Sequence, residues 1–460
     1  MSAPLDVINP YDQSLVCRVE FDEGDRLETK LASAHAAYNH WQQVPIENRI
    51  ASVQVGLSRF REKSTLIALD VSQQMGKPIA QAQREVETVF ERANYMVSIA
   101  EKTLAPEVLP SLDGFERRIE HVPLGVVLNV AAWNYPLIIP VNVIVPALLA
   151  GNVVLLKHSA KTPLSGEAFA DAFGELEIPD LVTNLVLNHE ETARVIADPR
   201  VAHVSFTGSV EGGASVYHEA AKRFIDAGLE LGGKDPAYVA KDADVAFAAA
   251  STVDGACYNA GQCCCAVERV YVHRYHLQEY LERAQQALEE YRLGDPLDED
   301  TTLGPLASRG AVEVLERQVA EAIRAGGKLL TGGTRVTGQA GNFFRPTLLS
   351  DVPNETLVMQ EESFGPIVPV LGVENDEEAL LRMRETRFGL TASVWTADRD
   401  RAERFSQSLN AGTVFQNRCD YADPALPWTG FGDSGKGSTL SRYGYYHLTR
   451  RKSLHFRTKI

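Results

Sequence analysis

The apolar positions of this chain fall into two textures. From residue 26 to 104 they recur every third or fourth residue, as in DRLETKLASAHAAYNHWQQV and REVETVFERANYMVSIAEK, which predicts amphipathic helices. From 117 onward, short apolar runs alternate with helical stretches. Strands are predicted at 125–130, 152–157, 181–187, 201–206 and 224–230, and helices at 136–150, 163–175, 190–197 and 210–222. That alternation predicts a doubly wound, mostly parallel α/β sheet. A second α/β run begins near 244, with helices at 245–258 and 277–291 and strands at 266–273, 364–373, 391–397 and 411–416. Two alternating segments, 117–122 and 452–460, stand outside both halves and read as edge strands, which need pairing or covering.

Composition narrows the function. At 460 residues the chain exceeds what one core supports, so two or three domains are expected. A hydrophobic fraction of 45% and a charged fraction of 23% are those of a soluble globular protein. The net charge of −16 argues against nucleic acid and against anionic membrane surfaces as partners. The stretch between Glu120 and Lys157 carries no Asp, Glu, Lys or Arg, but Pro123, Pro136, Pro140 and Pro146 interrupt it. It is expected to form buried strand, turn and helix rather than a membrane span. The N-terminus lacks the pattern of a secretory signal, so a cytoplasmic protein with reduced thiols is expected.

The chemistry concentrates at NAGQCCCAVER, residues 259–269, which holds three of the six cysteines. A zinc site wants separated Cys or His pairs, and three adjacent cysteines are not expected to point at one metal, so none is assigned. Cys263 and Cys265 read as small buried hydrophobes. Cys264 differs, because Gly261 and Gln262 permit a tight turn before it and Ala266 admits close backbone approach. Three other positions each have two readings. Asn134, at a strand-to-helix junction before Pro136, is an oxyanion donor or a plain helix cap. Glu230, ahead of Gly232 and Gly233, is a general base acting through water or a carboxylate satisfied by backbone N–H groups. Gly208, Ser209 and Gly213, between a strand and a helix, suit a pyrophosphate, although the glycine pattern is weak.

Together these pieces resemble the NAD(P)-dependent aldehyde dehydrogenase superfamily, and its short, semialdehyde-dehydrogenase-like members in particular. The motifs AWNYP, AGNVVLLKHS, FTGS, LELGGK, GQCCCA, EESFGP and AGTVFQN occur in family order over nearly the whole chain. The resemblance implies a Rossmann-like cofactor domain (1–103 and 123–231), an α/β catalytic domain (232–432) and a small β oligomerisation flap (104–122 and 433–460). It makes Cys264 the nucleophile, Asn134 with the Cys264 N–H the oxyanion site, and Glu230 the base that activates water against a thioester. It places Trp133 and Lys157 along the adenosine, with Gly208, Ser209, Gly213 and Leu231 around the pyrophosphate. Glu362 would hold the nicotinamide ribose, beside Phe364.

Many NAD-preferring members read K-P-x-E where this chain reads Lys157, His158, Ser159, Ala160. Loss of that Glu at Ala160, with Lys157 and Ser159 beside it, predicts that NADP is accepted as well as NAD. The pocket is expected to include Tyr135, Ile138, Cys263, Cys265, Arg418 and Tyr421. Arg418 would either anchor a substrate carboxylate, as in a semialdehyde, or pair with Asp420. A homodimer or homotetramer, with a small aldehyde as substrate, completes the expectation. A CoA-acylating dehydrogenase and a silent scaffold are the alternatives, and the presence of Glu230 and of Cys264, Asn134 and Glu362 argues against each.

Overall fold

In the computed structural model, residues 3–174, 176–338 and 340–460 are described; Met1, Ser2, Glu175 and Gln339 lie outside them. The helical N-terminal region comprises Gly24–Trp41, Ile46–Glu62, Ser64–Met75 and Ile79–Leu104. The last of these carries an apolar stripe at Ala82, Val86, Val89, Ala93, Met96 and Ala100, all buried.

The first sheet is built from β1 (Val126–Val130), β2 (Val153–Lys157), β3 (Val182–Leu185), β4 (Val201–Thr207) and β5 (Asp226–Glu230), parallel in the order β3-β2-β1-β4-β5. Its strands are near-continuous apolar runs because helices cover both faces. The expected helices appear as Ile138–Leu149, Pro163–Phe173, His189–Ala197 and Val210–Ala221. Of the expected ends, position 175 falls outside the described residues. Side-chain caps fix two of their starts, with Asn188 accepting from Glu191 N–H at 2.8 Å and Ser209 from Gly212 N–H at 3.1 Å. The short strand Gly435–Lys436 pairs antiparallel with Leu229 and Glu230 at the sheet's edge.

The second sheet holds β6 (Asp235–Val239), β7 (Val267–His273), β8 (Lys328–Thr331), β9 (Thr347–Ser350), β10 (Ile367–Val373), β11 (Thr391–Trp395) and β12 (Thr413–Gln416). Its order is β8-β9-β10-β7-β6-β11-β12, with β8 the one antiparallel member. Sequence reasoning missed β6 at its centre, since a short run opening on Asp-Pro reads as a turn. Pro236 is tolerated because the register slips between Asp235 and Pro236, where a bulge needs no N–H.

The two alternating segments outside the sheets turn out to be partners. Residues Phe115–Pro123 pair antiparallel with Thr449–Arg457 along their whole length, and Glu107–Val108 adds a third short strand. Each therefore covers an edge of the other.

A buried ion pair joins the helical region to the first sheet. Lys77 and Glu85 are both buried, and Lys77 Nζ donates to Glu85 Oε2. Glu85 Oε1 also accepts from the Leu137 N–H at 2.8 Å and the Ile138 N–H at 3.3 Å, the first donors of the helix after β1. Glu85→Ala would leave an uncompensated buried ammonium and two orphan N–H groups. We expect a loss of roughly 3–5 kcal/mol, read as a lower midpoint of urea unfolding, while Glu87→Ala, on the exposed face, moves it little.

Candidate active site

The cysteine turn is reached by a strained path. After the helix Val245–Cys257, Asn259, Ala260 and Gly261 take φ of 54°, 55° and 72°, all left-handed. Only glycine adopts that region freely, so the path must be held from outside. Asn259 Nδ2 donates to the Asn134 carbonyl at 3.0 Å and to the Gln262 carbonyl at 3.2 Å. Asn134 Nδ2 donates to the same Gln262 carbonyl at 3.2 Å, and Gln262 Nε2 returns to the Asn259 carbonyl at 3.2 Å. A side chain on Gly261 would meet the Gly365 carbonyl carbon at 2.3 Å, so this position must be glycine. Asn134 is thus no helix cap. It is buried against the turn, with its amide donating to the Gln262 carbonyl.

The chain then folds through a β-turn, with the Ala266 N–H donating to the Cys263 carbonyl at 3.2 Å. Cys264 and Cys265 occupy its corners, and the turn brings all three sulfurs within 4.8 Å of one another. The expectation that adjacent cysteines diverge is therefore corrected, because it assumed an extended backbone. Cys263 and Cys265 are buried, whereas Cys264 is partly exposed. The thiols of Cys263 and Cys265 stabilise the Cys264 thiolate and bring its pKa down to about 6, against burial and the charges of Glu230 and Glu362.

Glu230, at the end of β5, accepts from Thr439 Oγ1 and, at 3.4 Å, from Thr207 Oγ1. Burial raises its pKa above the ordinary carboxylate value, partly offset by these hydroxyls and by the Arg92 charge. Gly232 and Gly233 explain the close approach of the remaining groups. A Cβ on Gly232 would lie 2.6 Å from the Glu362 carboxylate, and one on Gly233 would lie 2.4 Å from the Cys264 carbonyl oxygen. Glu362 accepts from the Gly233 N–H at 3.2 Å, and burial pushes its pKa up to about 8.

Val130, Lys157, Thr207 and Glu230 end their strands on the same side, and the strand order reverses between β1 and β4. In open α/β sheets that reversal opens a ligand crevice. Trp133 follows β1 on one side; Gly208 and Ser209 follow β4 on the other. The Val210–Ala221 helix starts there, and a Cβ on Gly213 would clash with Leu231 at 2.5 Å, which packs the helix tightly onto the sheet. Trp133 stands edge-on to Phe364 at 5.5 Å. Ser159 and Lys157 are partly covered and Ala160 is exposed, while His158 turns inward to the Pro136 carbonyl at 2.9 Å. These residues fit a dinucleotide: free N–H groups at a helix start for phosphate, an aromatic wall, and a carboxylate for ribose.

Above Cys264 lies a cavity of about 450 Å³, lined by Tyr135, Ile138, Cys263, Cys265, Arg418 and Tyr421, with Glu230 also in its wall. The expected pairing of Arg418 with Asp420 does not occur among the described residues. Arg418 is exposed and lies 3.5 Å over the Tyr421 ring. Asp420, at φ 47°, turns inward and accepts from the Cys263 thiol at 3.2 Å and the Cys265 thiol at 3.1 Å. The chain reversal at this position points the carboxylate inward, which sequence spacing cannot show.

A model of the aldehyde dehydrogenase family matches residues 1–454. The chain belongs to the aldehyde dehydrogenase family. It is 35% identical over 452 residues to an NADP-dependent succinate-semialdehyde dehydrogenase of Deinococcus radiodurans, covering 98% of this chain and 94% of that one. Among solved structures, lactaldehyde dehydrogenase of Escherichia coli superposes with a TM-score of 0.95 at 31% identity, over 99% of this chain and 96% of that one. Succinic semialdehyde dehydrogenase of Streptococcus pyogenes, solved with NADP+, gives 0.93 at 28% identity, over 98% and 100%. This aldehyde dehydrogenase is an NAD(P)-dependent oxidoreductase that converts an aldehyde to its carboxylic acid. No helix among the described residues is long and apolar enough to cross a membrane.

Glu268, its partner Lys234, and Arg92 at the site of this aldehyde dehydrogenase escaped sequence reasoning. Glu268, just beyond the cysteines on β7, pairs with buried Lys234 at 2.6 Å and accepts from the Ser363 and Phe364 N–H groups at 2.8 and 2.9 Å. It so holds Phe364 in its left-handed conformation, φ 53°. Arg92 also lines the cavity, from the Ile79–Leu104 helix. The available signal was two charges, Glu85 and Arg92, seven residues apart within an otherwise apolar stripe.

The lowered Cys264 pKa has a direct readout. Iodoacetamide should modify Cys264 with a half-maximal rate near pH 6. A midpoint above pH 8, that of an ordinary thiol, would contradict the arrangement.

Proposed function

We propose that this enzyme oxidises a short aldehyde bearing a terminal carboxylate, of the succinate-semialdehyde class, with NADP+ accepted at least as well as NAD+. One observation carries the substrate class. The Arg92 guanidinium faces the same cavity as Cys264, and among the described residues no carboxylate pairs with it. Its one side-chain contact is a 3.3 Å hydrogen bond from Nη1 to Asn142 Oδ1, and its Nε has no partner. A guanidinium that feels the charges of Glu230 and Glu85 but contacts neither carboxylate favours an anionic ligand in the cavity, and it holds a carboxylate bidentately. The other arginines at the cavity are engaged, Arg84 with Glu91 at 3.1 Å and Arg418 on Tyr421. Arg92 therefore replaces Arg418 as the carboxylate anchor. The relatives named for succinate semialdehyde agree with this reading.

In the same reading, the Cys264 thiolate attacks the aldehyde carbon, and the Asn134 amide with the Cys264 N–H receives the oxyanion. A bound nicotinamide would supply the hydride acceptor, so that loss of hydride from the Cys264 adduct would leave an acyl thioester on that sulfur. Glu230 takes a proton from water, and the resulting attack on the thioester releases the acid. Trp133, Lys157, Ser159 and Ala160 would line the adenosine, Gly208, Ser209, Gly213 and Leu231 the pyrophosphate, and Glu362 and Phe364 the nicotinamide ribose and ring. Ala160, exposed beside Lys157 and Ser159, leaves room without negative charge for a 2′-phosphate. The reading extends to a cytoplasmic enzyme that assembles as a homodimer or homotetramer through the Phe115–Pro123 and Thr449–Arg457 strands, whose outer edge is open.

The test compares succinate semialdehyde with butanal, which has the same carbon chain and no carboxylate. Wild type should prefer the semialdehyde. Arg92→Met should lower kcat/KM for it by at least about thirtyfold, the low end of the roughly 2–5 kcal/mol for unpairing an enclosed charge, and butanal by less than about threefold. An equal fall with both substrates would refute the anchor. In a second experiment, Ala160→Glu should shift the NADP/NAD ratio of kcat/KM towards NAD by about fivefold or more, since like charges at close range cost about 1 kcal/mol or more; an unchanged ratio would refute the cofactor reading.

A further inference from the structure

The sulfurs of Cys263, Cys264 and Cys265 and one oxygen of Asp420 make a second kind of site. Cys263 and Cys265 lie with sulfurs 3.5 Å apart, and Asp420 Oδ1 sits 3.2 and 3.1 Å from them. The third sulfur, on Cys264, is within 4.8 Å of both. A tetrahedral zinc-like ion with bonds of about 2.3 Å to sulfur and about 2.0–2.2 Å to oxygen requires edges of about 3.8 Å between sulfurs and about 3.5–3.7 Å between sulfur and oxygen. The triangle of Cys263, Cys265 and Asp420 is about 0.3–0.6 Å short of those edges, and the Cys264 sulfur, within 4.8 Å of the other two, closes in by up to about 1 Å, shifts that side-chain rotations supply. Soft thiolates select zinc, cadmium and copper(I) over magnesium or calcium.

The charges also suit a cation. Asp420 and the thiols have no ion-pair partner among the described residues, while the nearest ammonium, Lys77, is held by Glu85. The three coordinating thiolates and the carboxylate would carry four negative charges, of which a divalent ion offsets two. A cavity mouth gives the ion a route in.

The geometry points to an inhibitory site for a thiophilic metal ion, built from Cys263, Cys265, Asp420 and the nucleophile Cys264. On binding, each coordinating thiol releases its proton to solvent, and no electron is transferred. Coordination occupies the lone pair with which Cys264 attacks the aldehyde, so the enzyme is silent until the ion is removed. Asp420 separates this from simple blockage of one reactive thiol, because it neither reacts nor belongs to the chain of proton transfers.

Cadmium is the probe, added to reduced enzyme in a phosphine reductant without cofactor. The expected result is one ion per chain, an ultraviolet thiolate-to-cadmium absorption, activity lost in step with occupancy, and full recovery with EDTA. Occupancy should protect Cys263 and Cys265, as well as Cys264, from alkylation, read on the peptide that contains them. Asp420→Asn and the double variant Cys263→Ser/Cys265→Ser should each weaken cadmium binding at least about tenfold, with inhibition compared with each variant's own uninhibited rate. Absence of the absorption at one equivalent, protection of Cys264 alone, or unchanged affinity in Asp420→Asn would overturn the site. Should the double variant fail to fold, Asp420→Asn and the wild-type protection pattern still decide it. Because binding and protection are read without turnover, these results stand apart from the identity of the aldehyde.

Discussion

Three consecutive left-handed residues, Asn259, Ala260 and Gly261, set the direction in which the cysteine turn faces. Such a path costs of order 1–3 kcal/mol per strained non-glycine residue and survives only when its surroundings leave no alternative. Here the surroundings come from the other half of the molecule. Asn134, at the end of β1, and Asn259, before the turn, are bound to each other and to one carbonyl, that of Gln262. Gln262 is tied in turn to the Ala307 N–H at 2.9 Å, and the Asn259 N–H to Gln81 at 3.0 Å. The Cys264 turn and the Asn134 amide are therefore positioned by one network that crosses from the first sheet to the second. Neither can shift without the other.

Two buried ion pairs extend that logic outward. Lys77 with Glu85 fixes the start of the helix that follows Asn134, and Lys234 with Glu268 fixes the backbone of Ser363 and Phe364. In each pair the carboxylate does more than balance a charge, since it also satisfies backbone donors at a turn. Buried pairs contribute little to stability over well-packed apolar residues, but breaking one is costly. Their value here is positional. One holds the wall that carries Asn134 and Tyr135, the other the wall that carries Glu362 and Phe364.

The sequence made the first sheet legible because its strands are covered on both faces and so read as unbroken apolar runs, each followed by a helix with a clear start. The same rule missed β6, whose Asp-Pro opening imitates a turn, β8, an exposed edge strand, and β9, a four-residue buried strand just after Pro346. At the site, Cys264, Asn134, Glu230 and Glu362 were legible as an ordered set of short motifs. What stayed hidden depended on side-chain direction. Arg418 and Asp420 are two residues apart and were expected to meet, yet a left-handed backbone at Asp420 sends them to opposite sides. The convergence of the three sulfurs was hidden for the same reason, because spacing along a chain does not report the β-turn that closes it.

Four buried or half-buried cations of this fold, Lys77, Lys234, Arg269 and Arg92, differ in what their charge meets. Lys77 and Lys234 have carboxylates. Arg269 is fully buried and donates to the carbonyls of Lys234, Arg382 and Met383, so backbone dipoles absorb its charge. Arg92 has only one side-chain amide, at 3.3 Å, and an Nε with nothing to bind. A stability argument alone would favour replacing it with an apolar residue on that otherwise apolar helix face. Its presence makes sense if the missing anion arrives with the aldehyde, so that the cost of holding the charge in the empty site is offset when substrate binds.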